Sequence, residues 1–346
     1  MAAAYDEIVI VTGAGIIGLS SAWRLARAGL RVVLFDAREA AAEASWAGAG
    51  MLAPGGEIDT HSELAAMALR SLHAYEPFVR ELEDETGFDI DFQRCGAFEL
   101  AANEAESAML RQRADLQRSM GIPSESRAWR DFEARFYPED GIVDPRQVTA
   151  ALRTACLRLG VSLRVHEPVL EIAPDGSWVR TARETISDAN GVLITAGAWS
   201  SSLCTALPRT IPMRGHLVSW NLPPRTLPSI VRHGHTYLLQ RRNGTLIAGS
   251  STEDVGFDRT VNDAIAGDIR DRAARLLPEL ATIEPSARWI GFRPAIAAAS
   301  GIACAPLVGR IGTKLWAAVG HYRNGILLAP ETARMITETI VQSSTA

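Results

Sequence analysis

Gly13, Gly15 and Gly18 stand at the spacing Gly-x-Gly-x-x-Gly, and Asp36 follows them. Such a set suits a dinucleotide. Gly13 permits a tight turn, Gly15 lets a pyrophosphate approach the backbone, and Gly18 lets a helix pack close on a strand. The helix start offers unpaired N–H groups and a partial positive charge to phosphate. Asp36 is placed to accept hydrogen bonds from a ribose diol. Far along the chain, Arg293 precedes Pro294, and Arg323 lies between Gly320 and Gly325. A guanidinium holds a carboxylate in two hydrogen bonds, so two arginines at strand ends over a cofactor suit recognition of a small carboxylate. Either arginine alone reads equally as a surface or structural ion pair. His235 and Tyr237 alternate, which puts them on one face of a strand, and a half-buried sheet face accounts for them as well.

The glycines need elements around them. Ile8-Val9-Ile10-Val11 reads as a buried parallel strand, and Ile16, Leu19, Trp23 and Ala26 recur at helical spacing up to Ala28-Gly29. Arg31–Phe35 is a second buried strand ending at Asp36. Next comes a run of small residues, Glu43–Pro54, too slight to pack as core by bulk. Its use is to bring backbone close to something flat. Gly191–Gly197 is another apolar strand ending in small residues, as at a cofactor. Leu315–Gly320 is a further buried strand, and a helix follows from Gly325 to Val341 with Asn324 as its N-cap.

Between these, Ser62 to Glu85 is an amphipathic helix with Ser62 as N-cap and Thr86-Gly87 as its stop. Phe92 to Ala101 reads as one strand around Gly96, and helices span Asn103 to Met120 and Pro145 to Leu159. Val161–Val165 is a strand, with Pro168–Ile172 continuing its sheet and Trp178 to Ala182 as a hairpin partner. From Pro212 the pattern alternates. Pro212–Trp220, His235–Gln240, Thr245–Ser251 and Ser286–Arg293 are antiparallel strands, Asn243-Gly244 is a hairpin turn, and Arg259 to Leu277 is a helix. The expected fold is therefore α/β. A discontinuous Rossmann-type nucleotide domain (1–85, 146–210 and 300–346) carries a mixed, largely antiparallel substrate domain (86–145 and 211–299).

Length and composition narrow the function. A chain of 346 residues, 47% hydrophobic and 22% charged, buries a large core. Net charge −5 argues against nucleic acid or an anionic membrane as the main partner. Cys95, Cys156, Cys204 and Cys304 are scattered, which argues against a disulfide framework or zinc site and makes a reducing cytoplasm the expectation. Asp6-Glu7 before the first apolar run, where a signal peptide would carry basic residues, assigns that run to the fold. No apolar stretch is long enough to span a bilayer. Ser200, Ser201 and Ser202 lack a Gly-x-Ser-x-Gly setting, so a hydrolase triad is not supported. His61, His73, His166 and His233 lack partners at metal-ligand spacing, and no metal is expected.

Taken together, the opening fingerprint, Glu43–Pro54, Thr195-Ala196-Gly197-Ala198-Trp199-Ser200, Pro212-Met213-Arg214-Gly215, Gly291-Phe292-Arg293-Pro294 and Gly320–Pro330 resemble the D-amino-acid-oxidase-type flavoproteins in content and order. Within that family the runs 45–54 and 320–330 look most like the glycine oxidases of thiamine biosynthesis. The resemblance covers essentially the whole chain. It implies FAD, held without a covalent bond. Gly13, Gly15, Ile16, Ile17, Gly18, Asp36, Ala37 and Arg38 would hold the ADP half, with Val169 near the adenine. Ser45, Trp46, Ala47, Gly48, Gly50, Met51 and Leu52 would lie along the ribityl chain and flavin, and Thr195, Ala196, Gly197 and Trp199 belong to the same lining. His321, Tyr322, Arg323, Asn324, Gly325 and Ile326 would border the isoalloxazine. The family's carboxylate-binding residues map onto Arg293 and Arg323, and its pocket tyrosine and neighbouring histidine onto Tyr237 and His235.

The implied reaction is hydride transfer from the Cα of glycine, an N-substituted glycine or another small amino acid to flavin N5. The imine then hydrolyses and O2 is reduced to H2O2. Relatives assemble as homo-oligomers, so a dimer or tetramer is expected. Several positions depart from the family pattern. Thr12 stands before the first glycine, Asp36 replaces the commoner glutamate, and Phe292 and Ala295 flank the arginine. Residues 299–306 lack the family's acidic residue, and the strand Leu246 to Ser251 ends in serines and Thr252 where relatives often carry a larger pocket residue. Three alternatives remain open: a dehydrogenase passing electrons to another carrier, an oxidase trimming an N-carboxymethyl group from a larger secondary amine, and a non-catalytic nucleotide-binding regulator.

Overall fold

The computed structural model describes residues 8–187, 189–299, 301–303 and 305–344. Asp6, Glu7, Ser300 and Cys304, on which parts of the sequence reading fall, lie outside them. Strand Ile8–Thr12 pairs in parallel with Arg31–Phe35 on one side and Gly191–Ile194 on the other. Helix Ile16–Arg27 makes the crossover between the first two. A strand covered on both faces has to be apolar throughout, and Val9, Ile10 and Val11 are fully buried. Six strands complete this sheet, in the order 307–310, 315–319, 191–194, 8–12, 31–35, 162–164, with only Leu307–Arg310 antiparallel to its neighbour.

On one face of the sheet, helices Ile16–Arg27, Glu63–Thr86, Pro145–Arg158 and Gly325–Ser344 share a core that includes Trp23, Tyr75, Phe78, Leu152 and Leu328. Truncating Trp23 or Phe78 there would cost about 3–5 kcal/mol through lost burial and the cavity left behind. The expected caps are in place. Ser62 Oγ accepts from Ala65 N at 3.1 Å, and Gly87 takes φ +77°. The long helix also reaches the C-terminal one through hydrogen bonds from Tyr75 Oη to Ile326 O (3.0 Å) and from Ser71 Oγ to Leu327 O (2.6 Å). Ile10, Val192 and Val319 face the opposite side, where they meet Val169, Ile172 and Val179 of a small sheet.

A ten-stranded sheet forms the second layer system. Its long strands Thr210–Asn221 and Ala287–Ala298 run antiparallel side by side, followed by Thr245–Gly249, Thr236–Gln240 and Ile230–His233. Helix Asp263–Leu276 covers it, packing Ile269 and Leu276 on Val218, Trp220, Leu238 and Leu246.

Several elements depart from the sequence reading. Residues 169–172 do not continue the first sheet; they open a separate three-stranded one with 179–181 and 185–186. The single strand expected over 92–101 breaks at Gly96, whose φ is +69°, and its halves join different sheets. The helix expected from Arg259 starts at Asp263, because Asn262 Oδ1 accepts from Ala264 N and Ile265 N and so caps it. Strands Glu125–Trp129, Phe132–Tyr137, Gly141–Val143 and Ile230–His233 were not expected.

Candidate active site

The glycine turn is shaped as its spacing predicts. Gly13 has φ +109°, and a Cβ there would lie 2.5 Å from Thr195 O. A Cβ on Gly18 would lie 1.8 Å from Gly13 O, so only glycine lets the helix meet the strand so closely. Thr195 Oγ1 fixes the turn by donating to Thr12 O (3.0 Å) and Gly13 O (2.8 Å). Asp36 Oδ2 accepts from Ala14 N at 2.7 Å and Oδ1 from Arg38 N at 2.8 Å. Burial pushes its carboxyl above the ordinary range, and the two backbone N–H bonds oppose that. A carboxylate has about four lone-pair directions, so these two bonds leave acceptor capacity for a diol.

From this turn a continuous cavity of about 440 Å³ runs to the ten-stranded sheet. The small-residue run forms one wall. Residues Ala44–Ala47 make a short helix, and Ser45 Oγ accepts from Ile16 N at 2.9 Å. A Cβ on Gly48 would strike Ile326 Cδ1 at 2.4 Å, and one on Gly50 (φ +87°) would strike Val143 O at 1.9 Å. At these two positions glycine is required by the protein's own packing against Ile326 and Val143.

Arg293 comes from strand Ala287–Ala298. Its Nη1 donates to Ser251 O (3.0 Å) and its Nη2 to Ser250 Oγ (2.9 Å), both neutral acceptors. Partial burial lowers its pKa, and the side chain faces the cavity. Tyr237, on strand Thr236–Gln240, lies over Gly249, where a Cβ would come within 2.4 Å of its hydroxyl. Burial raises the Tyr237 pKa while Arg293 and Arg323 pull it down, so the three groups sense one another. Arg323 follows strand Leu315–Val319, and its Nη2 donates to Glu57 Oε1 at 2.7 Å. Tyr322 N donates to Pro294 O at 2.8 Å, joining the two arginine-bearing segments. Asn324 directly precedes the last helix, and its carbonyl accepts from Leu328 N at 2.8 Å. His321 is buried against Thr332 Oγ1 at 3.0 Å, and burial drives its pKa down to about 3, so the ring is neutral.

Most of the expected residues line this one cavity, among them Gly13, Gly15, Ile16, Ile17, Asp36, Ala37, Ser45, Ala47, Gly48, Gly50 and Met51. Val169, Thr195, Ala196, Gly197, Trp199, Tyr237, Arg293 and the run His321–Ile326 line it too. Five do not. Gly18 is consumed in helix packing, and Leu52 is buried in the helical core. Arg38 turns its guanidinium outward to Glu43. Trp46 is 44% exposed and carries the Arg146 guanidinium 3.8 Å from its ring centre. His235 falls in the turn before strand Thr236–Gln240 and is exposed, so the face it was expected to share with Tyr237 does not form. Glu57, Ser250, Gly215 and Phe292 also line the cavity, although none was singled out as a site residue. The glycine in Met213-Arg214-Gly215 was the available signal for one of them.

A glycine-turn nucleotide sheet and an arginine-bearing antiparallel sheet, facing each other across one cavity, have the architecture of an oxidoreductase that holds a dinucleotide cofactor between them. The chain belongs to the FAD dependent oxidoreductase family (DAO), which it matches over residues 8–339. It is similar to the glycine oxidase of Pseudomonas aeruginosa, 33% identical over 96% of this chain and 94% of that protein. It is similar to the glycine oxidase of Bacillus licheniformis, 30% identical over 97% of this chain and 93% of that protein. The crystal structure of glycine oxidase from Geobacillus kaustophilus superposes with a TM-score of 0.90 at 29% identity, over 96% of this chain and 94% of that one. The protein is thus an FAD-dependent oxidoreductase whose relatives are amino-acid oxidases. Its residues fit FAD, since Gly13, Gly15, Gly48 and Gly50 put side-chain-free backbone on the cavity lining and Asp36, at the end of the second strand, faces the same cavity.

Proposed function

We propose that the protein oxidises glycine, an N-substituted glycine or another small α-amino acid, with O2 as electron acceptor, giving an imine that hydrolyses to an oxo acid and an amine, and H2O2. The observation that carries this reading is Arg293, a half-buried guanidinium on the cavity wall whose two hydrogen bonds go to neutral oxygens. A cation that faces a cavity without a carboxylate on it is a seat for one. The relatives' names point to amino-acid substrates as well.

In this reading FAD, when bound, supplies the hydride acceptor. Residues 1–85, 146–210 and 300–346 hold it, as the six-stranded sheet drawn from those stretches supports. Arg293 takes the substrate carboxylate in a fork, and the neutral Tyr237 hydroxyl donates a hydrogen bond to the same carboxylate, a role its raised pKa favours. Gripping the remote carboxylate turns the Cα–H bond toward the cofactor and removes the orientational freedom that would otherwise slow the reaction. The amine must be neutral to give up a hydride. Glu57, the carboxylate on the wall that carries Arg293 and Arg323, is engaged by Arg323. Ser250 at the seat is small, which leaves room for an N-substituent and keeps an N-carboxymethyl amine as a second candidate substrate.

Anaerobic bleaching of the purified flavoprotein with glycine, sarcosine, D-alanine, D-proline and larger N-alkylglycines is the test. The expected result is bleaching by at least one of them and H2O2 release on admitting air. Turnover with a dye but without O2 uptake would instead assign a dehydrogenase. No bleaching by any amine would overturn the reading.

A further inference from the structure

The cavity wall that holds Arg293 and Arg323 carries one carboxylate, Glu57, and that carboxylate is spent on Arg323. The other acidic residues on the lining lie toward the nucleotide turn and have partners there: Asp36 on backbone N–H groups, Glu39 on His166, and Glu43 on Arg38 and Arg259. The substrate end therefore presents two guanidinium charges and one carboxylate.

Glu57 is not there by accident of a loose loop. The turn that bears it is clamped from several directions. Arg232 Nη1 donates to Ala53 O at 2.8 Å, and Gln117 Nε2 donates to Gly55 O (2.5 Å) and Ile58 O (2.7 Å). Arg113 Nη1 donates to Gly56 O at 2.9 Å. Arg232 itself is buried between Glu99 (3.0 Å) and Asp140 (3.2 Å), and a Cβ on Gly56 would press on its guanidinium at 2.4 Å. A buried ionic cluster thus fixes the backbone on either side of a side chain that is itself only 31% exposed at the rim.

We infer that Glu57 is a specificity residue: by occupying Arg323 it leaves Arg293 as the one open guanidinium and so selects amines bearing a single carboxylate over those bearing two. The inference rests on the amine-oxidase reading of the same cavity. A monocarboxylate on Arg293 leaves the substrate end neutral when its amine is uncharged. A dicarboxylate must displace Glu57 from Arg323 or meet it as a like charge, and either is unfavourable. Because the pair is partly solvated its strength is modest, so removing the charge should retune selectivity without unfolding the loop.

The test compares the wild-type holoenzyme with Glu57→Gln and Glu57→Asp. Dissociation constants are read from perturbation of the flavin absorbance by methoxyacetate and diglycolate, an unreactive pair that differ by one carboxylate. Turnover of sarcosine and iminodiacetate gives the parallel kinetic comparison. Glu57→Gln is expected to tighten diglycolate, and to raise kcat/KM for iminodiacetate relative to sarcosine, by about tenfold at low salt, while methoxyacetate binding moves less than twofold. The gain should shrink as salt rises, and Glu57→Asp should keep wild-type preference. If methoxyacetate binds the wild type but Glu57→Gln leaves the diglycolate ratio unchanged, or moves both ligands together, this inference falls and the oxidase reading stands. If the wild type binds neither ligand and no amine bleaches the flavin, both fall.

Discussion

Gly215 lies directly beneath the Arg293 guanidinium, and a Cβ on it would come within 2.3–2.5 Å of Nη1, Nη2 and Cζ. The two residues sit on paired antiparallel strands, Thr210–Asn221 and Ala287–Ala298, with Gly215 opposite Gly291. The absent side chain is thus what lets the arginine lie flat across the sheet toward Ser250 and Ser251. Gly215→Ala should push the guanidinium out of its seat, since its far end can move more cheaply than a strand. The expected outcome is a rise in KM of about tenfold for carboxylate substrates, with FAD content and melting temperature little changed; steady-state kinetics beside a flavin spectrum checks it.

Removing the seat should cost more. Arg293→Ala is expected to lower kcat/KM for small amino acids on the order of a hundredfold or more, because a charge-assisted fork is lost. Arg293→Lys should recover only part of it, since an ammonium cannot offer the planar pair of N–H groups. Near wild-type kcat/KM in Arg293→Ala would refute the seat.

Cofactor retention should depend on the turn rather than on the arginines. Gly13→Ala introduces a Cβ 2.5 Å from Thr195 O, 2.7 Å from Thr195 C and 2.8 Å from Ala196 Cα at φ +109°, a strain no neighbour can relieve because all three contacts are backbone. The variant is expected to purify with little flavin. Adding FAD to stripped wild-type protein should raise its melting temperature with concentration, as mass action requires, and should do so weakly or not at all for Gly13→Ala.

His321 gives a pH signature. Its pKa is about 3 in the folded protein, well below the ordinary value of 6.5, because burial disfavours the cation. In the unfolded chain it takes up a proton as pH falls through 6.5, while in the folded protein it does not. Its contribution therefore favours unfolding progressively as pH drops from about 6.5 toward 3, with a slope of up to about 1.4 kcal/mol per pH unit. His321→Asn should flatten that part of a stability-versus-pH curve, measured by denaturant unfolding at several pH values. An unchanged slope would mean the ring is solvated in solution.

Much of the nucleotide half is legible before any coordinates, because its signals are local. Apolar runs at 8–11 and 31–35, a glycine spacing that only a tight turn explains, and the cap at Ser62 each act within a few residues of themselves. The second half is less so. Strand Glu125–Trp129 is almost wholly exposed and carries little hydrophobic alternation to announce it. Strand Val169–Ile172 has the pattern of a sheet member but nothing that says which sheet, a choice made by its hairpin with Val179–Thr181. Within the site, Arg293, Tyr237 and Arg323 stand out by type and context, whereas Glu57 follows a glycine-rich turn and gains its meaning only from a residue some 266 positions away. His235 shows the limit of alternation, since the strand starts one residue too late to include it.

Strand Leu315–Val319 lies inside the nucleotide sheet, between Gly191–Ile194 and Leu307–Arg310, and leads straight into the loop that ends at Asn324. A ribosome must therefore have carried synthesis past that strand before the cradle can close. Until residues near 330 emerge, the nascent protein has the fingerprint turn but lacks the slat that completes the floor. Loading with the yellow cofactor then has to wait for that strand rather than follow the opening turn, and a chain interrupted before it would be left colourless with its opening glycines intact.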